Sequence, residues 1–462
     1  MVGHPDPGSR EGTRSGGHVR VPPVAGSRPF LHGLREGRTR RSTLRFHLDR
    51  RSRTRAGRAW KRVGRGSIMR FGRVSSLVCM VIAIAPLFVA NSAEARRFEI
   101  LEGDDYDLIF STSRGIRFRS TDPALEFRLG GRLHGDLAFF EDDRTRIDDF
   151  DGQVRRGRIY LRGRVFEDFG FKIEREFAAA REGWRNLWIR YRPSRSVSLK
   201  LGNFVAPFGL QDIASSNYST LMERSASSAL APSYQTGARL DLNGRIGRRR
   251  SRNRWTLSVS ASTSPLAQAS DDQHRSDHFG LAVRTTFAPI ARKRAVVHVG
   301  LAVEYRELLD GSGYRIRARP ESGLAPALLD TGLLGDVDSI VSLGIEGAVL
   351  SGPFTVQGEY MRSFLQRNAG RNDVGFDGGY FQISYVVTGE RRRYSRSLGV
   401  IRGVKPRHAW GALEVAGRFS TLDLNADDVS GGRLRDWTVG VNWYLRENLR
   451  VMFNYVKVDG RR

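Results

Sequence analysis

From about residue 127 to the C-terminus, this chain repeats segments of roughly ten residues in which bulky apolar side chains alternate with charged and polar ones. Residues 340–350, IVSLGIEGAVL, place Val341, Leu343, Ile345 and Val349 on one face and Ser342 and Glu346 on the other. Trp437, Val439, Val441 and Trp443 repeat the pattern. Successive side chains of a strand point to opposite sides of the pleat, so each segment has one apolar and one polar face. A strand held between lipid and a watery lumen needs that arrangement. The series therefore predicts an all-β fold, a transmembrane antiparallel β-barrel.

The front of the chain indicates export. Residues 69–95 read MRFGRVSSLVCMVIAIAPLFVANSAEA. Arg70 and Arg73 form a positive start, 77–90 an uncharged apolar stretch, and Ala93-Glu94-Ala95 a small-x-small cleavage site, which is the make-up of a secretory signal peptide. The stretch is interrupted by Pro86 and falls short of the ~20 residues that span a bilayer as a helix. A mature chain starting near Arg96 is expected, with 96–124 as an N-terminal periplasmic segment and 125–462 as the barrel. Residues 1–68 are rich in Arg, Gly, Ser and Pro without apolar periodicity, so no buried core is available to them. They read either as a disordered basic extension or as upstream sequence ahead of a true start at Met69. Residues 1–95 carry about half of the formal net charge of +27, so that charge is no argument for nucleic-acid binding.

The single cysteine, Cys79, lies in the apolar stretch, which leaves the mature part without a disulfide, a thiolate nucleophile or a sulfur-ligated metal. No apolar run of helix-spanning length follows it. Fifteen strand candidates are readable, near 125–140, 155–166, 169–178, 185–192, 196–204, 235–243, 254–262, 278–288, 295–307, 338–350, 353–363, 378–388, 409–421, 435–445 and 448–458. Some joins are tight, as at Glu167-Asp168 and Ser351-Gly352, while 205–234, 308–337 and 389–408 suit surface loops or constriction loops folded into the lumen. Aromatics near strand ends, Trp184 and Trp188, Phe204 and Phe208, Trp437, and Trp443-Tyr444, suggest an interfacial girdle.

FRLGGRL at 127–133, VRRGRIYLRG at 154–163, LKLGNFVAPFGL at 199–210, MER at 222–224, GYFQISYVVTGE at 379–390, GALEVAGRFS at 411–420 and GVNWYL at 440–445 together resemble the phosphate-selective porin O and P family, in the family's order. The resemblance implies a trimeric outer-membrane porin of about sixteen strands, embedded among outer-membrane lipid and lipopolysaccharide. It also implies an arginine ladder and a central lysine cluster that draw small anions such as phosphate through the lumen.

By that resemblance Arg132, Arg155, Arg156 and Arg224 fall at pore-lining arginines, and Arg315, Arg317 and Arg319 in YRIRAR resemble an extracellular feeder run. Alternation supports Arg132, because Leu129, Leu133 and Leu137 take the opposite face. Guanidiniums spaced along a lumen lower the barrier for an anion in overlapping steps. The lysine cluster is absent: the corresponding positions read Gly170, Asp212 and Asn217, with Lys172 a nearby inward substitute. Asp212 at a constriction would repel phosphate, which weakens the case for phosphate specificity.

Other chemistry is thin. His274 and His278 with Asp271, Asp272 and Asp277 read as a polar linker rather than a metal site, and Glu174 and Glu176 as ion-pair partners of Lys172. No phosphate-binding glycine loop, serine elbow or zinc motif occurs, so no cofactor is implied and a channel is expected rather than an enzyme. The alternatives are a non-specific general porin and a truncated, non-conducting barrel. Fifteen is an odd number, whereas single-chain bacterial barrels are even. Either a final strand is missing after 448–458, or residues 100–119 supply the closing strand.

Overall fold

The computed structural model describes residues 77–84, 97–103, 106–111, 115–120, 124–142, 150–178, 182–247, 253–266, 277–309, 313–368 and 370–461. One antiparallel sheet of 19 strands dominates them. All fifteen expected strands are present, from Leu125–Asp142 and Phe150–Val165 through to Val429–Tyr444 and Arg450–Arg461. They pair in sequence order, each with its neighbours. The tight joins follow turn chemistry: Phe166 and Glu167 both adopt positive φ, as does Gly352 between the strands Val337–Ser351 and Phe354–Arg367.

The position between the last strand and the first is filled differently from expectation. Leu77–Ile84 is a strand that pairs Cys79 to Ala83 with residues of Arg450–Arg461 and Leu77 to Ile84 with residues of Leu125–Asp142. Residues 100–119 do not take that place. Their strands Arg97–Gly103, Tyr106–Ser111 and Gly115–Ser120 form a small meander that pairs only with the start of Leu125–Asp142. An uncharged, Val- and Ile-bearing stretch satisfies a strand as well as it does a leader, and for that reason composition alone could not separate the two. The cleavage motif and residues 1–68 lie outside the described residues.

Facing follows the alternation. Leu343, Ile345, Val349, Trp437, Val439 and Val441 are exposed on the outer face, whereas Ser342, Glu346, Asp436, Thr438 and Asn442 are buried on the inner one. The girdle expectation is only partly met. Trp437 and Trp443 face outward, but Phe204, Phe208 and Tyr444 are buried and Trp188 lines an internal cavity. The sequence pattern misassigned these because a lumen that receives folded-in loops also needs apolar inner residues.

All three long loops pack inward. Phe208 and Met222 from 206–233, and Ile316 and Leu329 from 309–336, join Ile340, Met361, Leu365, Phe376 and Leu422 of the strands in one apolar cluster. The third loop, 387–411, is tied to the wall by Arg392, whose Nε donates to Glu414 Oε1 at 2.7 Å and whose Nη2 donates to Glu414 Oε2 at 2.8 Å. The apolar core therefore sits inside the sheet, against the strands of the second half of the chain.

Candidate functional site

Against the other wall the inward loops leave a cavity of about 520 Å³. It is bounded by strands between Leu125–Asp142 and Tyr234–Gly244 and by the loops 206–233 and 309–336. Eleven Arg and Lys side chains line it, with only four carboxylates: Glu174, Asp212, Glu223 and Glu321. Of the sequence-derived candidates, Arg132, Arg156, Lys172, Arg224, Arg317 and Arg319 meet there.

A β-bulge explains how two adjacent arginines turn inward. His134 pairs with Arg156 and Gly135 with Val154, so Arg155 has no residue opposite. Both arginines are consequently buried on the inner side while Val154 and Ile159 face out. Their surroundings differ. Arg156 borders the cavity, with Nη1 3.3 Å from His134 Nδ1. Arg155 does not border it. It forms ion pairs at 2.9 Å to Asp136 and at 2.9 Å to Glu223 and donates to the Met222 carbonyl, so it moors the 206–233 loop to the wall.

Arg132 donates from Nη1 to Ser216 Oγ at 2.7 Å and has no carboxylate partner among the described residues. Arg224 lies 3.3 Å from Asp212 and also donates to the carbonyls of Gln211 and Asp212. Burial raises the Asp212 carboxyl above its ordinary range, with Arg224 opposing. Lys172 donates to Glu174 at 2.7 Å. Arg317 lies 3.4 Å from Asp330, and Arg319 donates to the Ala325 carbonyl at 2.7 Å. Arg315 stands outside the cavity, held by Asp330 at 2.8 Å from its Nε.

Five cavity cations escaped the sequence reading: Arg158, Arg185, Lys200, Arg239 and Arg306. A signal for them existed. Lys200 lies between outward Leu199 and Leu201, and Arg158 beside outward Ile159, in the alternation used elsewhere. Arg158 and Glu176 pair at 2.6 Å, and Arg239 and Asp241 at 2.7 Å, so Glu174, Glu176 and Asp241 are ion-pair partners on the wall. Gly170, one of the positions where the family resemblance implies a central lysine, is overlaid by Arg190: a Cβ there would stand 3.0 Å from the guanidinium Nη2. Asn217 sits in a short 3-10 turn beside Ser216. The polar linker's His274, Asp271 and Asp272 lie outside the described residues.

Strands with an apolar exterior and a polar interior, folded-in loops and a cation-rich cavity define an outer-membrane porin. A sequence model of phosphate-selective porin O and P matches residues 127–462, and the chain belongs to that family. It is 27% identical over 395 residues to Porin O of Pseudomonas aeruginosa, covering 77% of this chain and 87% of that protein. An uncharacterised protein of Caulobacter vibrioides is 24% identical over 348 residues, covering 72% of this chain and 68% of the relative. Among solved structures, the anion-selective porin from Comamonas acidovorans aligns with a TM-score of 0.39 at 10% identity, covering 73% of this chain and 99% of that one.

Proposed function

We propose that this porin is a passive diffusion channel that prefers anions, with the cation-lined cavity as its selective passage. The observation that carries the reading is the imbalance of eleven cationic side chains against four carboxylates on the cavity lining, which persists although Glu176, Asp241, Glu304 and Asp330 off the lining pair with Arg158, Arg239, Arg306 and Arg317. Charges in a narrow, weakly screened site act on a passing ion far more strongly than the same charges in bulk water. Arg132, Arg156, Arg224, Arg317, Arg319 and Lys172 are the passage residues, while Arg155 and Arg315 support the loops. Phosphate passes as one small anion among others, because Gly170, Asp212 and Asn217 stand where a lysine cluster would bind it. The chain acts as a channel rather than an enzyme and needs no cofactor.

Export to the outer membrane, residence among lipid and lipopolysaccharide, and assembly as a homotrimer complete the proposal. The exposed apolar outer face supports membrane residence. The test is the reversal potential of the purified channel in a planar bilayer under a KCl gradient. Chloride permeability above potassium is expected, and the triple variant R132A/R156A/R224A should lower that ratio by about tenfold. Potassium selectivity in the unaltered protein would refute the reading.

A further inference from the structure

Several cations at the cavity wall are set against aromatic rings. Trp188 and Lys200 line the cavity, with Lys200 Nζ 5.6 Å from the indole ring centre, while Arg190, not itself a lining residue but opposite Lys200 in the strand register, has its guanidinium 5.7 Å from the same ring; Trp188 Nε1 donates to Asn186 at 3.1 Å. The Arg185 guanidinium lies 5.5 Å from the centre of Tyr234, and that of Arg306 lies 5.9 Å from the centre of Tyr314, all four again on the lining. Lys200 also meets Asp241 at 3.4 Å and Arg306 meets Glu304 at 2.9 Å, and each carboxylate offsets part of its partner's charge. A ring steadies a cation without removing its charge, and adds an apolar surface beside it.

Arg190 is the sharpest case. It has no carboxylate partner among the described residues, and its buried Nε has no hydrogen-bond partner. It lies over Gly170, where any side chain would push against it. Gly170, having no side chain, thus makes room for an arginine set 5.7 Å from the tryptophan ring centre. A hydrated inorganic anion gains nothing from the indole. An anion carrying a flat ring gains stacking on Trp188 together with a planar guanidinium that fits a carboxylate. The cavity volume also lies within the ~300–1,000 Å³ typical of sites for drug-sized molecules.

Building on the anion-channel reading, we infer that the group of Trp188, Arg190 and Lys200 is a binding station for aromatic carboxylates, with the carboxylate on Arg190 and Lys200 and the ring on Trp188. The test uses the full-length protein in planar bilayers with benzoate, cyclohexanecarboxylate and inorganic phosphate as blockers of the chloride current. Benzoate should reach half-block at about fivefold lower concentration than cyclohexanecarboxylate, which has the same charge and nearly the same size without the π-face. W188F should keep most of that ratio, and W188L should bring it close to one. R190Q should weaken block by both carboxylates. A ratio of one in the unaltered protein, an unchanged ratio in W188L, or phosphate blocking below benzoate would overturn the inference. If W188L yields no channels, the ratio in the unaltered protein and in W188F decides. Potassium selectivity would remove the anion-channel reading itself, whereas chloride selectivity with a ratio of one would remove only the aromatic station.

Discussion

The two walls of this sheet use the same residue type to opposite ends. Around Val337–Ser351 to Arg450–Arg461, buried arginines meet carboxylates: Arg392 with Glu414, Arg418 with Glu321, and Arg284 of His278–Ala291 with Glu346. These sites carry further hydrogen bonds. Glu414 accepts from Tyr444 at 2.7 Å and Asn442 at 3.0 Å, and Glu346 is shared with His298 at 2.8 Å. Each pair pins an inward loop to the wall. Between Leu125–Asp142 and Tyr234–Gly244, cations outnumber their partners and face a cavity. Partner number, rather than residue type, separates an arginine that fastens a loop from one left facing the cavity.

The harshest way to break this comparison is to remove a partner from the packed wall. E414A would strand Arg392 without its counter-charge, and losing one member of a buried pair costs about 3–5 kcal/mol. Urea unfolding in detergent should show that loss, while the anion preference of any surviving channels stays close to that of the unaltered protein. A stability equal to the unaltered protein would mean that these pairs do not hold the loops.

Within the cavity wall, R224A and R155A should separate. Removing Arg224 also uncovers Asp212, so chloride preference should drop by more than in R132A, and D212N added to R224A should restore part of it. R155A should instead unmoor the 206–233 loop, giving unsteady single-channel currents with a smaller change in reversal potential. Matching reversal shifts in R155A and R132A would place Arg155 in the passage.

Sequence alone yielded the strands because alternation is local, and a lipid-facing strand cannot hide its period. It yielded Arg132 for the same reason, through Leu129 and Leu133. Lys200 and Arg158 were readable in the same alternation, but the rest of what it missed depended on geometry that no period encodes. The bulge at His134 and Gly135 breaks the phase that would have put Arg155 and Arg156 on opposite faces. Inward-folded loops cover the girdle candidates Phe204 and Phe208, while Trp188 is interior because its strand neighbour Ile189 takes the outer face. The placement of Leu77–Ile84 could not be separated from a leader by composition.

Two milder tests use acidity. Burial holds Asp212 above the ordinary carboxylate range, so as pH falls it takes up a proton before surface carboxylates do. Arg224 then loses its counter-charge and the chloride preference should rise. D212N should flatten that dependence in reversal-potential measurements. The smallest effect concerns the exposed Asp428, which hydrogen bonds from Arg367 and Arg371 lower to about 2. A lowered carboxylate stabilises the fold above its ordinary pKa of 3.8, and the contribution disappears as pH falls through about 2. D428N and the unaltered protein should therefore differ slightly in melting temperature at neutral pH and converge near pH 2.

The bulge also bears on chain length. In a strand, inserting or deleting one residue inverts the facing of everything to one side of the change, which would carry apolar residues into the lumen and charges into lipid. Phe150–Val165 has one exception. Because Arg155 has no residue opposite, Val154 and Arg156 already face the way direct neighbours should. Losing Arg155 would leave every other residue of that strand oriented as before and would release only the loop it moors, so here alone in the strand length and orientation are uncoupled.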